Sequence, residues 1–533
     1  MHASTAVQPI AAARDESPWW RGAVIYQVYV RSFADGNGDG IGDLAGARSR
    51  LPYLRELGVD AVWLTPFYPS PMADGGYDVT DYRDVDPVFG DLADFDALLA
   101  DAHELGLRVI IDVVPNHTSD AHAWFAEALA GGPGNRARER YIFCRGKGDE
   151  PPNDWESIFG GPAWTQVPDG EWYLHLFAPE QPDLNWQDVE VRAEFAGILR
   201  FWLDRGVDGF RIDVAHGMVK DPALADVGRT GQVSLLTKER LPYFDQDGVH
   251  EIYREWRTIL DAYPGHRIAV AEAWVPDAER LARYVRPDEL HQAFNFHFLD
   301  CAFDAAAMRR VVEESLAIEA PTWVLSNHDV QRHVTRYGGG YVGQRRARAA
   351  ALLMLALPGS AYVYQGEELG LPEVLDLPDE VLQDPMWERS GRTERGRDGC
   401  RVPVPWSGEQ APFGFSAGEP WLPMPASWGG ITVEAQSGEP GSMLALYRTA
   451  LRVRRDHPAL GDGALRWLDG PSGVLIFDRG PGFVCAVNAG PDEVELAVDG
   501  ELLCASGPVY LLSDRRSRTW VVPAETAAWW TVG

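Results

Sequence analysis

Three acidic residues each follow a short apolar, β-branched run, and together they could perform chemistry. Asp213 lies in Gly-Phe-Arg-Ile-Asp-Val-Ala, Glu272 in Val-Ala-Glu-Ala-Trp and Asp329 in Leu-Ser-Asn-His-Asp-Val. A pair of carboxylates can cleave a glycosidic bond, because one attacks the anomeric carbon while the other protonates the leaving oxygen. One such acid usually forms a salt bridge or caps a helix. Three of them, with Arg211 and His328 beside them, indicate a catalytic site.

These acids need a scaffold that brings distant segments together, and the sequence contains one. Short strand-like runs alternate with helical stretches such as Leu44–Leu57, Asp94–Leu105 and Val189–Arg205, which is typical of a parallel sheet built from βα units. Eight such runs predict an α/β fold, a (β/α)8 barrel, with a doubly wound sheet as the alternative. The predicted strands are Val24–Val30, Ala61–Phe67, Arg108–Val114, Gly209–Ala215, Ile268–Trp274, Ala293–Phe298, Trp323–Asp329 and Ser360–Gln365. Catalytic residues of such barrels lie at the C-terminal ends of the strands.

The composition along the chain predicts four segments. Residues 1–17 form a flexible N-terminal segment, and residues 18–115 with 188–440 form the barrel. Residues 116–187, rich in Pro, Gly and Trp, form an inserted loop-rich subdomain after the third strand. Residues 441–533 form a final helix, Met443–Arg455, and an antiparallel β-sandwich. Its predicted strands are Val474–Asp478, Phe483–Val487, Val494–Val498, Val509–Leu512 and Trp520–Val522.

Five segments, spread over most of the predicted barrel, resemble one known group of enzymes. They are Ile25–Phe33, Asp112–Thr118, Gly209–Asp213, Ala271–Trp274 and Ser326–Asp329. In their order and spacing they resemble the α-amylase superfamily of glycoside hydrolases, specifically its α-glucosidase and oligo-1,6-glucosidase branch. The resemblance implies that Asp213 is the nucleophile, Glu272 the general acid/base and Asp329 the stabiliser of the transition state. Arg211, two residues before the nucleophile on the same strand face, is expected to keep Asp213 ionised.

The same resemblance implies a set of substrate-binding residues. Asp74 would bind the distal hydroxyl of a terminal glucose, Tyr77 would stack on its ring, and an arginine would help, either Arg397 or Arg401. An acid and an arginine that grip the non-reducing end would close the pocket, which favours exo action, although a structural salt bridge is the alternative. The remaining residues implied are His117 and His328 as hydroxyl donors, Arg211 beside the nucleophile, and Phe159, Phe177 and Gln181 of the inserted subdomain.

A glycine-rich loop near the N-terminus could bind a metal ion. Asp35, Asn37, Asp39, the carbonyl of Ile41 and Asp43 supply oxygen ligands at alternate positions. Such ligands suit a hard cation, so the loop predicts a structural Ca²⁺ site, with Mg²⁺ as an alternative. The likeness to an EF-hand is partial because position 46 is Gly instead of Glu. A polar turn without metal is the other interpretation, and no organic cofactor is expected.

The charge and the cysteines limit the partners and the compartment. The formal net charge is −31, which argues against nucleic acid and anionic membranes as partners. The five cysteines are odd in number and lack CxxC spacing, as expected of reduced thiols. With no apolar run of membrane length and no apolar core near Met1, we expect a cytoplasmic protein that is a monomer or homodimer.

These observations predict a retaining, exo-acting α-glucosidase that acts on short gluco-oligosaccharides. By the same resemblance, Val214 favours activity on α-1,6 linkages, whereas Ala215-His216-Gly217 resembles maltose-active α-glucosidases. We therefore expect activity mainly on maltose-type α-1,4 linkages, with α-1,6 linkages also accepted. A transglucosidase or a maltose/trehalose isomerase on the same scaffold is the alternative. A non-catalytic relative is disfavoured because all three acids are present.

Overall fold

The computed structural model describes residues 18–318, 320–513 and 518–533. The predicted flexible segment 1–17 lies outside the described residues. Eight parallel strands form one sheet in cyclic chain order, as a barrel requires. They are Val24–Val28, Ala61–Leu64, Arg108–Val113, Gly209–Ile212, Ile268–Ala271, Gln292–Ala293, Thr322–Val324 and Ser360–Tyr364. Within the described chain no ladder joins the sixth and seventh strands, but the Thr322 hydroxyl donates to the Ala293 carbonyl at 2.6 Å. The predicted barrel is therefore confirmed, and its sheet is nearly closed.

Helices surround this sheet, and their ends follow local capping chemistry. The helix Leu92–Glu104 begins with a capping box formed by Asp91 and Asp94. The predicted helix Val189–Arg205 is confirmed and ends at Gly206, whose φ of 106° suits glycine. The predicted helix 44–57 is divided in two at Arg50. The helices around the barrel and after it are Leu44–Ser49, Leu51–Leu57, Leu92–Glu104, Val189–Arg205, Val249–Asp261, Ala278–Tyr284, Phe296–Leu299, Ala305–Ser315, His333–Arg336, Gly340–Ala356, Pro385–Arg389, Val433–Gln436 and Met443–Asp456.

The predicted sixth strand, 293–298, was largely wrong. Only Gln292–Ala293 is a strand, and Phe296–Leu299 is a short helix. The side chain of Asn295 accepts from the Phe298 N–H and so starts this helix. The strands that carry the three acids also end earlier than predicted, which leaves those acids on the loops that follow.

Two further regions lie outside the barrel. Residues 116–187 contain the helix Ala123–Gly131 and an antiparallel sheet of Phe143–Arg145, Glu171–Leu174 and Trp164–Gln166. After residue 456 there are two antiparallel sheets that enclose an apolar core. One contains Arg466–Trp467, Val474–Asp478, Phe483–Asn488, Thr526–Val532 and Gly500–Ala505, and the other contains Val494–Ala497, Thr519–Val522 and Tyr510–Ser513. The sequence missed Arg466–Trp467, Gly500–Ala505 and Thr526–Val532.

Two chemical features of the chain follow from this structure. All five cysteines are unpaired, and four of them are buried. In the part of the chain described, every helix is too short or too polar to cross a lipid bilayer.

Candidate active site

The barrel backbone brings the predicted catalytic acids to one end of the sheet. The Asp213 N–H donates to the Val113 carbonyl at 2.9 Å, and the Glu272 N–H donates to the Ile212 carbonyl at 3.0 Å. These bonds continue the ladders just past the ends of the fourth and fifth strands. Asp329 lies five residues beyond the seventh strand, and its N–H donates to Asn327 Oδ1 at 2.9 Å.

One guanidinium joins the predicted nucleophile to the predicted acid/base. Arg211, 2% exposed, places Nη1 2.7 Å from Asp213 Oδ1 and Nη2 2.7 Å from Glu272 Oε2. The same Nη1 lies 2.7 Å from Asp112 Oδ1. Two carboxylates that share one guanidinium are neighbours in one cavity, as glycosidic cleavage requires.

Burial and the charge of Arg211 have opposite effects on the pKa values of the acids in this cluster. Burial, with the charges of Glu272, Asp112 and Asp329, raises the pKa of Asp213, although Arg211 acts to lower it. Burial likewise raises the pKa of Asp112 to about 6, against the effect of Arg211. Arg211 thus favours the ionised form of Asp213, while burial and the neighbouring carboxylates favour the protonated form.

The backbone that follows the nucleophile contacts the acid/base directly. Val214 has a φ of 44°, a strained value for a β-branched residue. In this conformation the Val214 N–H donates to Glu272 Oε2 at 2.9 Å. Trp274 Nε1 donates to the other oxygen, Oε1, at 3.2 Å. Both oxygens of Glu272 are thus held in place.

Asp329 is held by cations and by a neutral histidine. Its Oδ1 lies 3.0 Å from Arg397 Nη1 and 3.2 Å from Arg401 Nη2, and its Oδ2 lies 3.2 Å from His328 Nε2. Although burial opposes them, these three neighbours hold the pKa of Asp329 well below its usual range. Gln27 Nε2 lies 2.6 Å from His328 Nδ1, and the Tyr77 hydroxyl lies 2.7 Å from the Nε2 that faces Asp329. Asp329 is therefore held in its charged form.

An ion pair on the cavity wall joins Arg397 to Asp74. Arg397 Nη2 lies 2.6 Å from Asp74 Oδ1, and the guanidinium sits 4.9 Å from the centre of the Phe159 ring. Gln181 Nε2 donates to Asp74 Oδ2 at 3.1 Å. Arg401, 2% exposed, lies behind the cavity, where its Nε donates to the His328 carbonyl at 2.9 Å. The geometry thus separates the two arginines that the sequence left open: Arg397 faces the cavity and Arg401 supports it.

These side chains surround a cavity of about 760 Å³. Nine predicted residues line it: Asp74, Tyr77, His117, Phe159, Phe177, Asp213, Glu272, Asp329 and Arg397. Four predicted residues lie behind it: Gln181, Arg211, His328 and Arg401. The Tyr77 ring stacks on His328 with 5.3 Å between centroids, and His117 contacts Phe177 at 5.1 Å. Burial lowers the pKa of His117 to about 4, so its imidazole is neutral.

The sequence missed several residues of this site. Asp112 was seen in a motif but was not chosen as a site residue. His216, Trp274 and the segment 233–238 line the cavity. Asp112 lies on a predicted strand and Trp274 follows Glu272 by two residues, so the period of two along strands could have found both. Nothing in the sequence of 233–238 points to the cavity.

In the predicted metal loop, the aspartate side chains accept hydrogen bonds largely from the backbone N–H groups of the loop itself. Asp35 accepts from the N–H groups of Asn37 and Gly38 at 2.9 and 2.6 Å, and Asp39 accepts from Ile41 at 2.9 Å. Hydrogen bonds, foremost from Ser416, lower the pKa of Asp35 against the effect of burial. Among the residues described, no three His, Cys, Asp or Glu side chains are arranged to hold a metal ion. The donors fit a hard cation chemically, since all are oxygens, but the carboxylates would have to draw together.

A nearly closed parallel barrel with paired carboxylates on one arginine at its C-terminal end defines the glycoside-cleaving class of barrel enzyme. Comparison with known proteins agrees with this class. Residues 27–463 match the alpha amylase catalytic domain. The chain therefore belongs to the alpha-amylase family of glycoside hydrolases.

Three similar proteins indicate which members of this family the chain resembles. A probable alpha-glucosidase of Rhizobium meliloti (strain 1021) is 42% identical over 493 residues, covering 87% of each chain. An oligo-1,6-glucosidase of Parageobacillus thermoglucosidasius is 37% identical over 477 residues, covering 83% of this chain and 84% of that one. The crystal structure of an alpha-glucosyl transfer enzyme, XgtA, has a TM-score of 0.89 at 39% identity and covers 97% of this chain and 100% of that one.

Proposed function

We propose that this protein removes single glucose units from the non-reducing ends of short α-linked gluco-oligosaccharides, with retention of configuration. One observation carries the proposal. Arg397 binds Asp74 at 2.6 Å and Asp329 at 3.0 Å, so it connects Asp74 to the catalytic acids. We infer that this ion pair closes the cavity next to the sugar that Asp213 attacks, so that a chain end fits and a chain that continues is excluded.

The contacts suggest how the reaction proceeds. Asp213 attacks the anomeric carbon, and Glu272 gives its proton to the glycosidic oxygen as the C–O bond breaks. The product is a glycosyl ester on Asp213. Glu272 then removes a proton from water, the water oxygen attacks the same carbon, and the ester bond breaks to release α-glucose. Asp329, held ionised by Arg397 and Arg401, stabilises the positive charge of both transition states.

The cluster around Arg211 supports the proton transfer. Asp112, Asp213 and Glu272 each lie 2.7 Å from a terminal nitrogen of the same guanidinium. Three ionised carboxylates on one cation would leave two net negative charges in a buried site, which is unfavourable. The reaction needs one proton in this cluster, on Glu272, and an ionised Asp213, which Arg211 favours.

Product analysis tests this function. The protein is incubated with maltose, isomaltose, sucrose and trehalose, and the released sugars are followed by NMR from the first minutes. With 4-nitrophenyl α-glucoside, which releases a single glucose, the expected first product is α-glucose, and β-glucose formed first would refute retention. With longer oligosaccharides, shortened products without free glucose would refute exo action.

The linkage preference is a finer proposal. Similarity to a probable alpha-glucosidase at 42% identity and an oligo-1,6-glucosidase at 37% identity supports activity on both α-1,4 and α-1,6 bonds. Val214, which lines the cavity beside the nucleophile, favours α-1,6 linkages by resemblance, while the following residues favour maltose. We expect maltose to be the better substrate, with isomaltose cleaved as well.

Glucosyl transfer is a second candidate activity. The likeness to an alpha-glucosyl transfer enzyme at 39% identity favours it. Hydrolysis and transfer share the glycosyl ester, and they differ in whether water or a sugar hydroxyl attacks it. The ratio of transfer products to free glucose at rising maltose concentration distinguishes the two.

We also propose that the loop 35–43 binds Ca²⁺, or else Mg²⁺, for stability. None of its residues lines the cavity, so the ion would have no part in the reaction. The ionised Asp35 and the all-oxygen donor set support a hard cation.

The five unpaired cysteines support a reducing compartment, and we propose that the protein is cytoplasmic.

A further inference from the structure

Trp274 lines the cavity beside the general acid/base, and the proposed mechanism does not use it. Its indole Nε1 donates to Glu272 Oε1 at 3.2 Å. The other oxygen of the carboxyl group, Oε2, accepts from the Val214 N–H at 2.9 Å and lies 2.7 Å from Arg211 Nη2. The two oxygens of the acid/base therefore have different surroundings.

These contacts indicate which oxygen of Glu272 carries the proton. The Val214 N–H and the guanidinium of Arg211 can only donate, and both approach Oε2, so a proton on Oε2 would face two donors. In the part of the chain that the structure describes, Oε1 meets a single donor, the Trp274 N–H. The proton therefore belongs on Oε1, which is also the oxygen left to face the leaving group.

An indole suits this position because it is a donor only. Its N–H can orient Oε1, yet it has no lone pair that would accept the proton of Oε1 in place of the substrate. As that proton leaves, Oε1 gains negative charge, and a hydrogen bond to a charged oxygen is about twice as strong as one to a neutral oxygen. The contact with Trp274 therefore strengthens in the transition state, and an interaction of this kind accelerates the reaction.

The indole is fixed by the aromatic ring behind it. Trp274 stacks on Phe296, with ring centroids 3.9 Å apart and ring planes 4° from parallel. Phe296 is 4% exposed and begins the short helix Phe296–Leu299, whose first turn is capped by Asn295. The indole N–H is thus in position before a substrate binds.

We propose that Trp274 is a positioning residue for the general acid, which directs the proton of Glu272 Oε1 at the glycosidic oxygen. The inference rests on the proposed glucosidase function and deepens it. In the first step the O–H bond of Oε1 breaks and an O–H bond forms on the leaving oxygen, while the anomeric carbon exchanges its bond to that oxygen for a bond to Asp213. A more basic leaving group depends more on this proton, and therefore more on Trp274.

The test compares leaving groups that differ in their need for the proton. Aryl α-glucosides from 4-nitrophenyl to phenyl have increasingly basic leaving groups, and maltose has the most basic one. Trp274→Phe keeps an aromatic ring on Phe296 and removes the N–H. We expect kcat/KM for maltose and phenyl α-glucoside to fall about tenfold, the effect of one lost hydrogen bond to a charged group. For 4-nitrophenyl α-glucoside it should change less than about twofold, since nitrophenolate can leave without a proton.

Two further variants make the result specific. Phe296→Leu removes the stacked ring but keeps the indole, so it should have a smaller effect in the same direction as Trp274→Phe. Trp467→Phe is the matched control, because Trp467 also packs against a phenylalanine, Phe477 at 5.4 Å, but lies outside the cavity. The control should leave kcat/KM unchanged for every substrate.

The dependence of kcat/KM on the basicity of the leaving group separates a positioning role from a packing role. A misdirected proton makes this dependence steeper, whereas a disturbed fold lowers all the values by one factor. Equal losses over the whole series, or unchanged maltose activity in Trp274→Phe, would overturn the proposal. A wild-type protein that is inactive on every α-glucoside would instead reject the underlying glucosidase function.

Discussion

Replacing Asp74 with Asn tests the closed end of the cavity. Asp74 is 4% exposed, and its two oxygens contact Arg397 at 2.6 Å and Gln181 at 3.1 Å. Asn keeps the size and one oxygen of the side chain but removes its charge. The change therefore weakens the grip on the terminal glucose with little change of shape.

The expected magnitude follows from the hydrogen bond that is lost. A hydrogen bond to a charged group contributes about 1.5–3 kcal/mol, whereas a neutral one contributes about 1 kcal/mol. If Asp74→Asn loses the charged bond to the sugar outright, kcat/KM should fall about 10- to 150-fold, at 1.36 kcal/mol for each factor of ten. The buried Arg397 also loses a charged partner, so the melting temperature should fall.

The assay measures kcat/KM on maltose and on α-glucosyl fluoride. Both substrates place a glucose against Asp74, so both values should fall by a similar factor. Asp81→Asn is the matched control, because Asp81 is exposed in the same segment and lies outside the cavity. Measurements are made well below the melting temperature of each variant.

Two results would refute this reasoning. Activity of Asp74→Asn within about threefold of wild type would mean that Asp74 does not hold the glucose. Cleavage by the wild-type protein of an oligosaccharide whose non-reducing end is chemically capped would show that the cavity is open beyond Arg397.

Three further predictions concern the proton, the charge cluster and the metal. Glu272→Ala should lose most activity on maltose but still form the glycosyl ester from 4-nitrophenyl α-glucoside; added azide should then yield α-glucosyl azide by NMR, and a β-azide would contradict retention. Asp112→Asn removes a negative charge that raises the pKa of Asp213. The acidic limb of the pH profile of kcat/KM should therefore move to lower pH, and an upward move would contradict the proposed cluster. Chelation with EDTA should lower the melting temperature by several degrees, and added Ca²⁺ should restore it. The restoration should be smaller in Asp39→Asn. A melting temperature that does not change on addition of EDTA would reject the metal site.

The barrel and its catalytic acids could be predicted from the sequence because strong local patterns report on them. Buried parallel strands are continuous apolar runs, and the chain order of such strands dictates their neighbours. Once Asp213 and Glu272 were assigned to adjacent strand ends, their convergence followed from the architecture alone. The helix Val189–Arg205 could be predicted equally well, since Gly206 marks its end.

Other features depend on contacts between segments that are distant in the chain. The run 293–298 has the apolar content of a strand, yet Asn295 starts a helix within it. Thr526–Val532 lies between two other strands of its sheet and is buried over most of its length, so it lacks the alternation expected of a strand with one exposed face. Arg397 and Arg401 are equivalent in sequence, and only the fold shows that the first reaches Asp74 while the second is buried behind Asp329.

Arg211 has more than one effect, because its guanidinium contacts three acids. It lies 2.7 Å from Asp112, Asp213 and Glu272, so it fixes their relative positions. It also lowers the pKa of Asp213, while burial raises it. Asp329 contacts two other arginines, which hold its pKa well below the usual range. The arginines thus place positive charge beside both acids that the reaction needs in the ionised form, the nucleophile and the stabiliser of the transition state.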